Sequence, residues 1–255
     1  MEPVLVELKG NVATITLNRP EKLNALDSTT LRALAEALER VTASSARVLV
    51  LRGSSRAFCA GQDLEEAGSG ELDYETHLQL YNQVFLKLRS LPLPVLAAVN
   101  GVAAGAGMSL ALAADLRLLS ESAVFITAFS RIGLAPDTGM TYTLPRLVGW
   151  ARAYELLALS PEVSAAAALQ MGLANRVVPD GEFDEAVADL AAELSAGPTL
   201  VYALIKRALD YSAAHDMEQV LDFEARLQKL AGSSRDHREG LAAFAEKRPP
   251  EFNGE

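Results

Sequence analysis

Two short stretches limit what this chain can fold into more than any others: "RVLVLRG", from Arg47, and "VLAAVNG", from Val95. Each carries an unbroken apolar run, without the alternation of a half-exposed strand, and each stops at a glycine. Runs of that kind suit strands buried on both faces, as in parallel sheets covered by helices. The segments around them fit. "VLVELKGNVATITLN" alternates apolar and polar residues on either side of "KGN" and predicts a β-hairpin. "DSTTLRALAEALERV" spaces leucines at 31, 34 and 38 behind Asp27 or Ser28 as N-cap, which predicts an amphipathic helix. A helix is predicted over Tyr74 to Arg89, and short strands in "ADLRLLS" and "AVFIT".

From about Thr141 the pattern becomes helical. Helices are predicted over Trp150 to Leu159, Ser164 to Met171, Glu182 to Leu194, Leu200 to Ala214, Met217 to Gly232 and Arg235 to Ala245, with "ANRVV" the one intervening strand. The expected class is α/β with a helical C-terminal region, and no proline- or serine-rich linker divides the two parts. With 255 residues, half of them hydrophobic, the chain can bury a full core. Its formal charge of −10 weighs against nucleic acid as a partner, so any anionic ligand needs a local cluster of cations. The single cysteine, Cys59, excludes an internal disulfide and fits a reducing compartment. No basic-then-apolar leader opens the sequence, and the apolar run near Gly105 to Ala114 is too short to span a bilayer, so no membrane partner and a cytoplasmic location are expected.

Three junctions carry the candidate chemistry. "AFCAGQDL" turns through small residues before Gln62; "VNGVAAGAGMSLALAADLRLL" turns through Gly101 and Gly105-Ala106-Gly107 into a helix; in "GLAPDTGMTYTLPRLVG" Pro136-Asp137 opens another helix after Gly133. A helix start built from small residues presents unpaired N–H groups, and two such starts facing each other can hold an oxygen that gains negative charge. Gly105 and Gly107 serve equally for tight helix packing. An isolated Asp before a helix, as Asp137 is, reads more often as an N-cap, and Cys59 more often as a buried small hydrophobe than as a nucleophile. The segment lacks the spacing of a dinucleotide or P-loop fingerprint. His77, His215 and His237 fall in or beside helices with no catalytic partner in sequence; Asp63, Glu65 and Glu66 read as solvated loop carboxylates, and Asp115 as a structural strand-start residue.

Taken in order, "ITLNRPEKLNALD", "AFCAGQDL", "AVNGVAAGAGMSLALAADLRL", "GLAPDTGMTYTLPRLVG", "VSAAAALQMGLANRVVP" and "EGLAAFAEKRPPEF" resemble the enoyl-CoA hydratase/isomerase (crotonase) superfamily from end to end. The resemblance implies an α/β, crotonase-like spiral of β-β-α units over residues 1–195 and a helical trimerisation region over 196–255, assembled as a homotrimer or a dimer of trimers. It implies an acyl-CoA thioester as substrate, with CoA part of that substrate, no separate cofactor and no metal. It places the oxyanion hole at the backbone N–H groups of Gln62 and Ala106. It places the CoA path along Lys22, Leu23, Ala25 and Ala60 to Leu64 (Asp63 included), with Phe244 and Lys247 contacting CoA, in some members across a subunit boundary. Candidate phosphate-binding cations are Arg19, Lys22, Arg56, Lys247 and Arg248.

Family hydratases use two glutamates; Ser109 and Phe129 stand at those places here. Asp137 remains. An acid there resembles the dienoyl-CoA isomerases and, more closely, the isomerases that convert 1,2-epoxyphenylacetyl-CoA to oxepin-CoA and shift 3,4-enoyl-CoA double bonds to the 2,3 position. The resemblance implies that Asp137 shuttles a proton, its basicity raised by an apolar setting of Phe129, Leu134, Ala135 and Met140. The competing expectations are a general Δ3,Δ2-enoyl-CoA isomerase of fatty acyl chains and a non-catalytic CoA- or RNA-binding member of the fold.

Overall fold

A computed structural model describes residues 2–67 and 73–255. Strands β1 (Val4–Lys9) and β2 (Val12–Leu17) form the expected antiparallel hairpin. Helix α1 (Ser28–Thr42) starts at Asp27, whose carboxylate accepts from Thr30 N at 2.7 Å, and buries Leu31, Leu34 and Leu38. Then the chain adopts a repeating course. Strand β3 (Val48–Gly53) leads to β4 (Ala57–Cys59), then to α2 (Leu64–Ala67) and α3 (Tyr74–Ser90). Strand β5 (Val95–Val99) leads to β6 (Val102–Ala104) and α4 (Ala106–Ala113); β7 (Leu116–Ser120) leads to β8 (Val124–Ile126). Helices α5 (Met140–Val148) and α6 (Trp150–Leu159) follow, then β9 (Val163–Ser164), α7 (Ala165–Gln170), β10 (Arg176–Val178) and α8 (Phe183–Ala196).

In each turn of this course the first strand joins a six-stranded sheet, ordered β1-β2-β3-β5-β7-β10, and the second joins a four-stranded sheet, ordered β4-β6-β8-β9. Apart from the β1–β2 and β8–β9 pairs, the ladders are parallel. The result is the spiral of β-β-α units. Strands β3 and β5 are buried on both faces, as their unbroken apolar runs require. Leu49, Leu51, Val95, Ala97 and Val99 enter the main core, while Val48, Val50, Leu96 and Ala98 pack with Phe183, Val187 and Leu190 of α8. Each fully buried Leu or Val contributes roughly 1.5–3 kcal/mol relative to exposure, which is the main force closing the spiral. Helix α4 is buried along all eight residues, the mark of a helix apolar all round and enclosed by the core.

Helices α9 (Thr199–Ser212), α10 (Met217–Gly232) and α11 (Arg235–Glu246) complete the chain. Arg47, at the start of the first buried run, secures this region by donating to Thr199 Oγ1 (3.0 Å) and Phe252 O (2.9 Å). Leu209, Leu221, Leu241 and Phe244 remain exposed there. No helix among the described residues is long and apolar enough to cross a membrane.

Candidate active site

The segment "NRPEKLNALD" is a scaffold. Leu23 (φ 51°) and Asn24 (φ 59°) are both left-handed, which folds the loop back on itself. The buried Asn24 amide makes this possible: Nδ2 donates to Ser54 O (2.9 Å) and Ala57 O (2.8 Å), and Oδ1 accepts from Arg19 N (2.9 Å). Arg19 donates to Ala25 O (2.7 Å) and pairs with Asp63 (2.8 Å) and Asp27 (3.1 Å). Two expectations are corrected here. Asp63 is a buried ion-pair partner, not a solvated loop carboxylate, and Arg19 is occupied by the scaffold rather than free for phosphate. Burial pushes the Asp63 carboxyl up, but the Arg19 guanidinium and the Glu65 N–H outweigh it and hold the carboxyl below its usual value.

This loop zips along residues 60–63. Ala60 N donates to Leu23 O (3.0 Å), Leu26 N to Gly61 O (2.7 Å) and Asp63 N to Leu26 O (2.9 Å). In an extended ladder alternate backbone groups point in opposite directions. With Gly61 O and Asp63 N both turned to Leu26, the Gln62 N–H faces the other way, and it has no hydrogen-bond acceptor among the described residues.

It faces the start of α4. Gly105 (φ 50°) turns the chain, its N–H donating to Ile126 O (2.9 Å), and leaves the Ala106 N–H as the first unpaired donor of the helix. The approach is close: a Cβ built on Gly61 would lie 2.7 Å from Ala104 O and 3.4 Å from Ala106 N. The two readings of the glycines therefore divide between them. Gly105 supplies a left-handed turn where a Cβ would meet only ordinary contacts, 3.8 Å from Thr127 O, whereas Gly107 packs so tightly that a Cβ would lie 2.1 Å from Cys59 O.

Asp137 lies three residues ahead of helix α5. Helix α5 begins at Met140, with Gly139 as its N-cap, and not at Pro136-Asp137 as expected. Thr138 (φ 50°) and Gly139 (φ 75°) form consecutive left-handed residues between Asp137 and the helix. The carbonyl of Asp137 accepts from Met140 N (2.9 Å), and its carboxylate caps nothing. The N-cap reading is thereby excluded. Burial pushes the Asp137 carboxyl up from its usual range; the Thr138 hydroxyl, buried and free of other partners, and the charge of His77 pull it partly back.

Gln62, Ala106 and Asp137 meet at one cavity of about 180 Å³. Phe129 and Leu134 give it apolar walls, and Leu78 and Tyr81 of α3 close another side. Of the other expected apolar neighbours, Met140 is buried without lining the cavity and Ala135 is exposed. Ser109 lies within α4, its buried Oγ without a partner, and does not line the cavity.

Ala60 and Leu64 line the same cavity; Ala25 borders the scaffold with its carbonyl held by Arg19; Lys22 pairs with Glu65. Phe244 and Lys247 do not line it: Phe244 is 86% exposed on α11, and Lys247 is the exposed, left-handed residue that ends that helix. Among the remaining candidate cations, Arg248 is held by Glu239 and Glu246, while Arg56 is exposed. Burial pushes the Cys59 thiol up to about 12, so it is no nucleophile at neutral pH. Asp115 is structural as expected, accepting from Val95 N (2.8 Å) and pairing with Lys206 (2.7 Å). No group of three or more metal-ligating side chains occurs among the described residues. His77, by contrast, is buried behind the Tyr81 wall, a location that sequence reasoning missed. Its i, i+4 spacing with Tyr81 was the available signal, and it reads first as an ordinary core face.

A β-β-α spiral thus brings two unpaired main-chain donors and one half-buried carboxylate to a largely apolar cavity. The family model for enoyl-CoA hydratase/isomerase matches residues 7–255, and the chain belongs to that family, whose enzymes act on CoA thioesters. It is 46% identical to a probable enoyl-CoA hydratase of Rhodobacter capsulatus, over 97% of this chain and 96% of that protein. It is 42% identical to 1,2-epoxyphenylacetyl-CoA isomerase of Escherichia coli K12, over 100% and 99%. A crystal structure of a putative enoyl-CoA hydratase from Streptomyces coelicolor A3(2) superposes with a TM-score of 0.94 at 39% identity, covering 99% of this chain and 94% of that one.

Proposed function

We propose that the protein is an acyl-CoA isomerase in which Asp137 carries a proton between two carbons of the acyl group. The N–H groups of Gln62 and Ala106 hold the thioester oxygen as it gains charge. For a 3,4-enoyl-CoA, Asp137 removes a proton from C2, the electron pair delocalises into a dienolate held at the oxygen, and the same proton returns at C4. The double bond then lies between C2 and C3. Donors fixed where charge develops stabilise the transition state more than the ground state, each worth about 3 kcal/mol. The likeness to the Escherichia coli isomerase supports 1,2-epoxyphenylacetyl-CoA, converted to oxepin-CoA, as the preferred substrate.

One observation carries the choice of isomerase over hydratase: among the described residues that line the cavity, Asp137 is the only carboxylate. Adding water calls for one group to activate the water and another to protonate carbon, whereas relocating a proton needs a single base. Ser109 and Phe129, which stand where family hydratases carry their glutamates, supply neither. Assembly as a homotrimer or a dimer of trimers fits the apolar side chains exposed on α9–α11, and would let Phe244 and Lys247 reach CoA in a neighbouring subunit.

The test is a panel of a 3-enoyl-CoA, crotonyl-CoA and 1,2-epoxyphenylacetyl-CoA assayed with the native protein and Asp137→Asn. Isomerisation should exceed hydration of crotonyl-CoA by orders of magnitude. In Asp137→Asn it should fall roughly 10²–10⁴-fold, the usual worth of a placed general base. Near-normal turnover in the variant would remove Asp137 from the mechanism. Turnover of the 3-enoyl-CoA without the epoxide would point to fatty acyl chains, and binding without turnover to a non-catalytic role.

A further inference from the structure

Helix α11 rests on little of the molecule. Of its twelve residues only Asp236 and Ala243 are buried, while Leu241 and Phe244 are exposed. Its hold comes from residues 248–254, which turn back along it. Lys247 (φ 55°) makes the turn, and Arg248 closes it by bonding both carboxylate oxygens of Glu239. Glu239 Oε1 also accepts from Glu251 N (2.9 Å). One turn nearer the start of the helix, Asp236 Oδ1 accepts from Asn253 N (2.7 Å) and Oδ2 from Gly254 N (2.9 Å). Between these two clamps Phe252 lies over Gly240, where a Cβ would meet its ring at 3.7 Å.

The same strap is tied to the spiral. Arg47, just ahead of β3, donates to Phe252 O and, at the entry to α9, to Gly197 O and Thr199 Oγ1. Gly254 (φ 82°) packs closely into this corner: a Cβ would lie 3.0 Å from Thr199 Oγ1 and 3.2 Å from Arg47 Nε. Asp236 is 2% exposed, with each carboxylate oxygen accepting a main-chain N–H, a bond strengthened by the charge. Removing that carboxylate would leave two part-buried donors without partners. With the strap released, the turn at Ser233-Ser234 is the remaining covalent tie between α11 and the rest of the chain. The far end of α11, where Phe244 and Lys247 stand, would lose its fixed place.

We propose that Asp236 is a positioning residue for CoA: it holds residues 251–254 as a strap that fixes α11 and so sets where Phe244 and Lys247 meet the ligand. This rests on the reading of Phe244 and Lys247 as CoA contacts.

The experiment compares native protein, Asp236→Ala, Asp236→Asn and the double variant Phe244→Ala/Lys247→Ala. It reads the Kd for CoA by calorimetry, kcat and KM on a 3-enoyl-CoA, amide hydrogen exchange over residues 250–255, and mass by light scattering. In Asp236→Ala the Asn253 and Gly254 amides should exchange faster. The Kd for CoA should rise roughly tenfold, about the effect of one hydrogen bond to a charged group, and KM should rise with it at unchanged kcat. Asp236→Asn, which keeps one acceptor, should fall between. Faster exchange at 253 and 254 with a native Kd overturns the proposal and leaves the strap as a stabilising feature. A loss of assembled mass that accompanies the rise in Kd overturns it too, because assembly alone would then account for the rise. Should Asp236→Ala not fold, Asp236→Asn decides, and a native Kd there overturns the proposal. A native Kd in the double variant would remove α11 from the CoA path, and the proposal then fails together with that reading. A native Kd in Asp236→Ala alone defeats the proposal with the reading intact.

Discussion

Asp137 holds its charge in a place that favours the neutral acid, and this sets stability and activity against each other. Its carboxyl titrates above the 3.8 of a free aspartate. Between those two values the folded protein binds more protons than the unfolded chain, so stability falls as pH rises through that window. Above the folded value the cost is fully present. Asp137→Asn should therefore melt higher than the native protein at pH 7, and the gap should close as the pH is lowered toward 3.8. Calorimetry at several pH values checks this; a constant gap would assign the change to packing. Activity runs the other way, rising with pH as the base ionises. The acid after "GLAP" is legible in the sequence, and the family resemblance anticipates its Phe129 and Leu134 walls; the Leu78 and Tyr81 side is not legible, because α3 reaches the cavity only in the fold. Asp63 shows the same limit. Its partner Arg19 is 44 residues away, so a loop aspartate next to two glutamates reads as solvated.

Among the elements, β4 and α4 fix the geometry of the donors, and two glycines are their contact points. In Gly107→Ala the new Cβ meets Cys59 O at 2.1 Å, backbone against backbone, so one element must move. Overpacking of this kind costs about 1–3 kcal/mol or more, and should lower the melting temperature by several degrees. Gly61→Ala should be more selective. Its φ of 95° and the 2.7 Å approach to Ala104 O force a shift beside the Gln62 and Ala106 donors, so kcat should fall with a smaller loss of thermal stability. Equal thermal damage in both variants would separate Gly61 from the donor geometry. Period and capping reveal the hairpin, the long helices and both doubly buried strands. They miss β6 and β9, which are three and two residues long, too short to show a period. They also start α5 too early, since Pro-Asp is a common helix opening while the left-handed turn at Thr138-Gly139 depends on tertiary contacts.

At the scale of the whole molecule, the exposed apolar residues of α9–α11 set the expectation for assembly. Leu209, Leu221 and Phe244 are 66%, 57% and 86% exposed, and an isolated subunit would leave them in water. Light scattering at micromolar concentration should give the mass of a trimer or of two trimers; a stable monomer would contradict this. The two donors at the mouth of α4 have a different kind of consequence. Both belong to the main chain, so replacing the side chain at position 62 or 106 leaves the N–H in place, and a scan of side-chain substitutions would pass over half of the apparatus. An amide-to-ester exchange at those positions would expose it. In the proposed mechanism the donors depend on the course of the backbone, whereas the proton-handling group depends on side-chain identity at residues 109, 129 and 137. On that reading, substitutions at these three side chains would alter which proton moves while the two main-chain donors stay where the fold puts them.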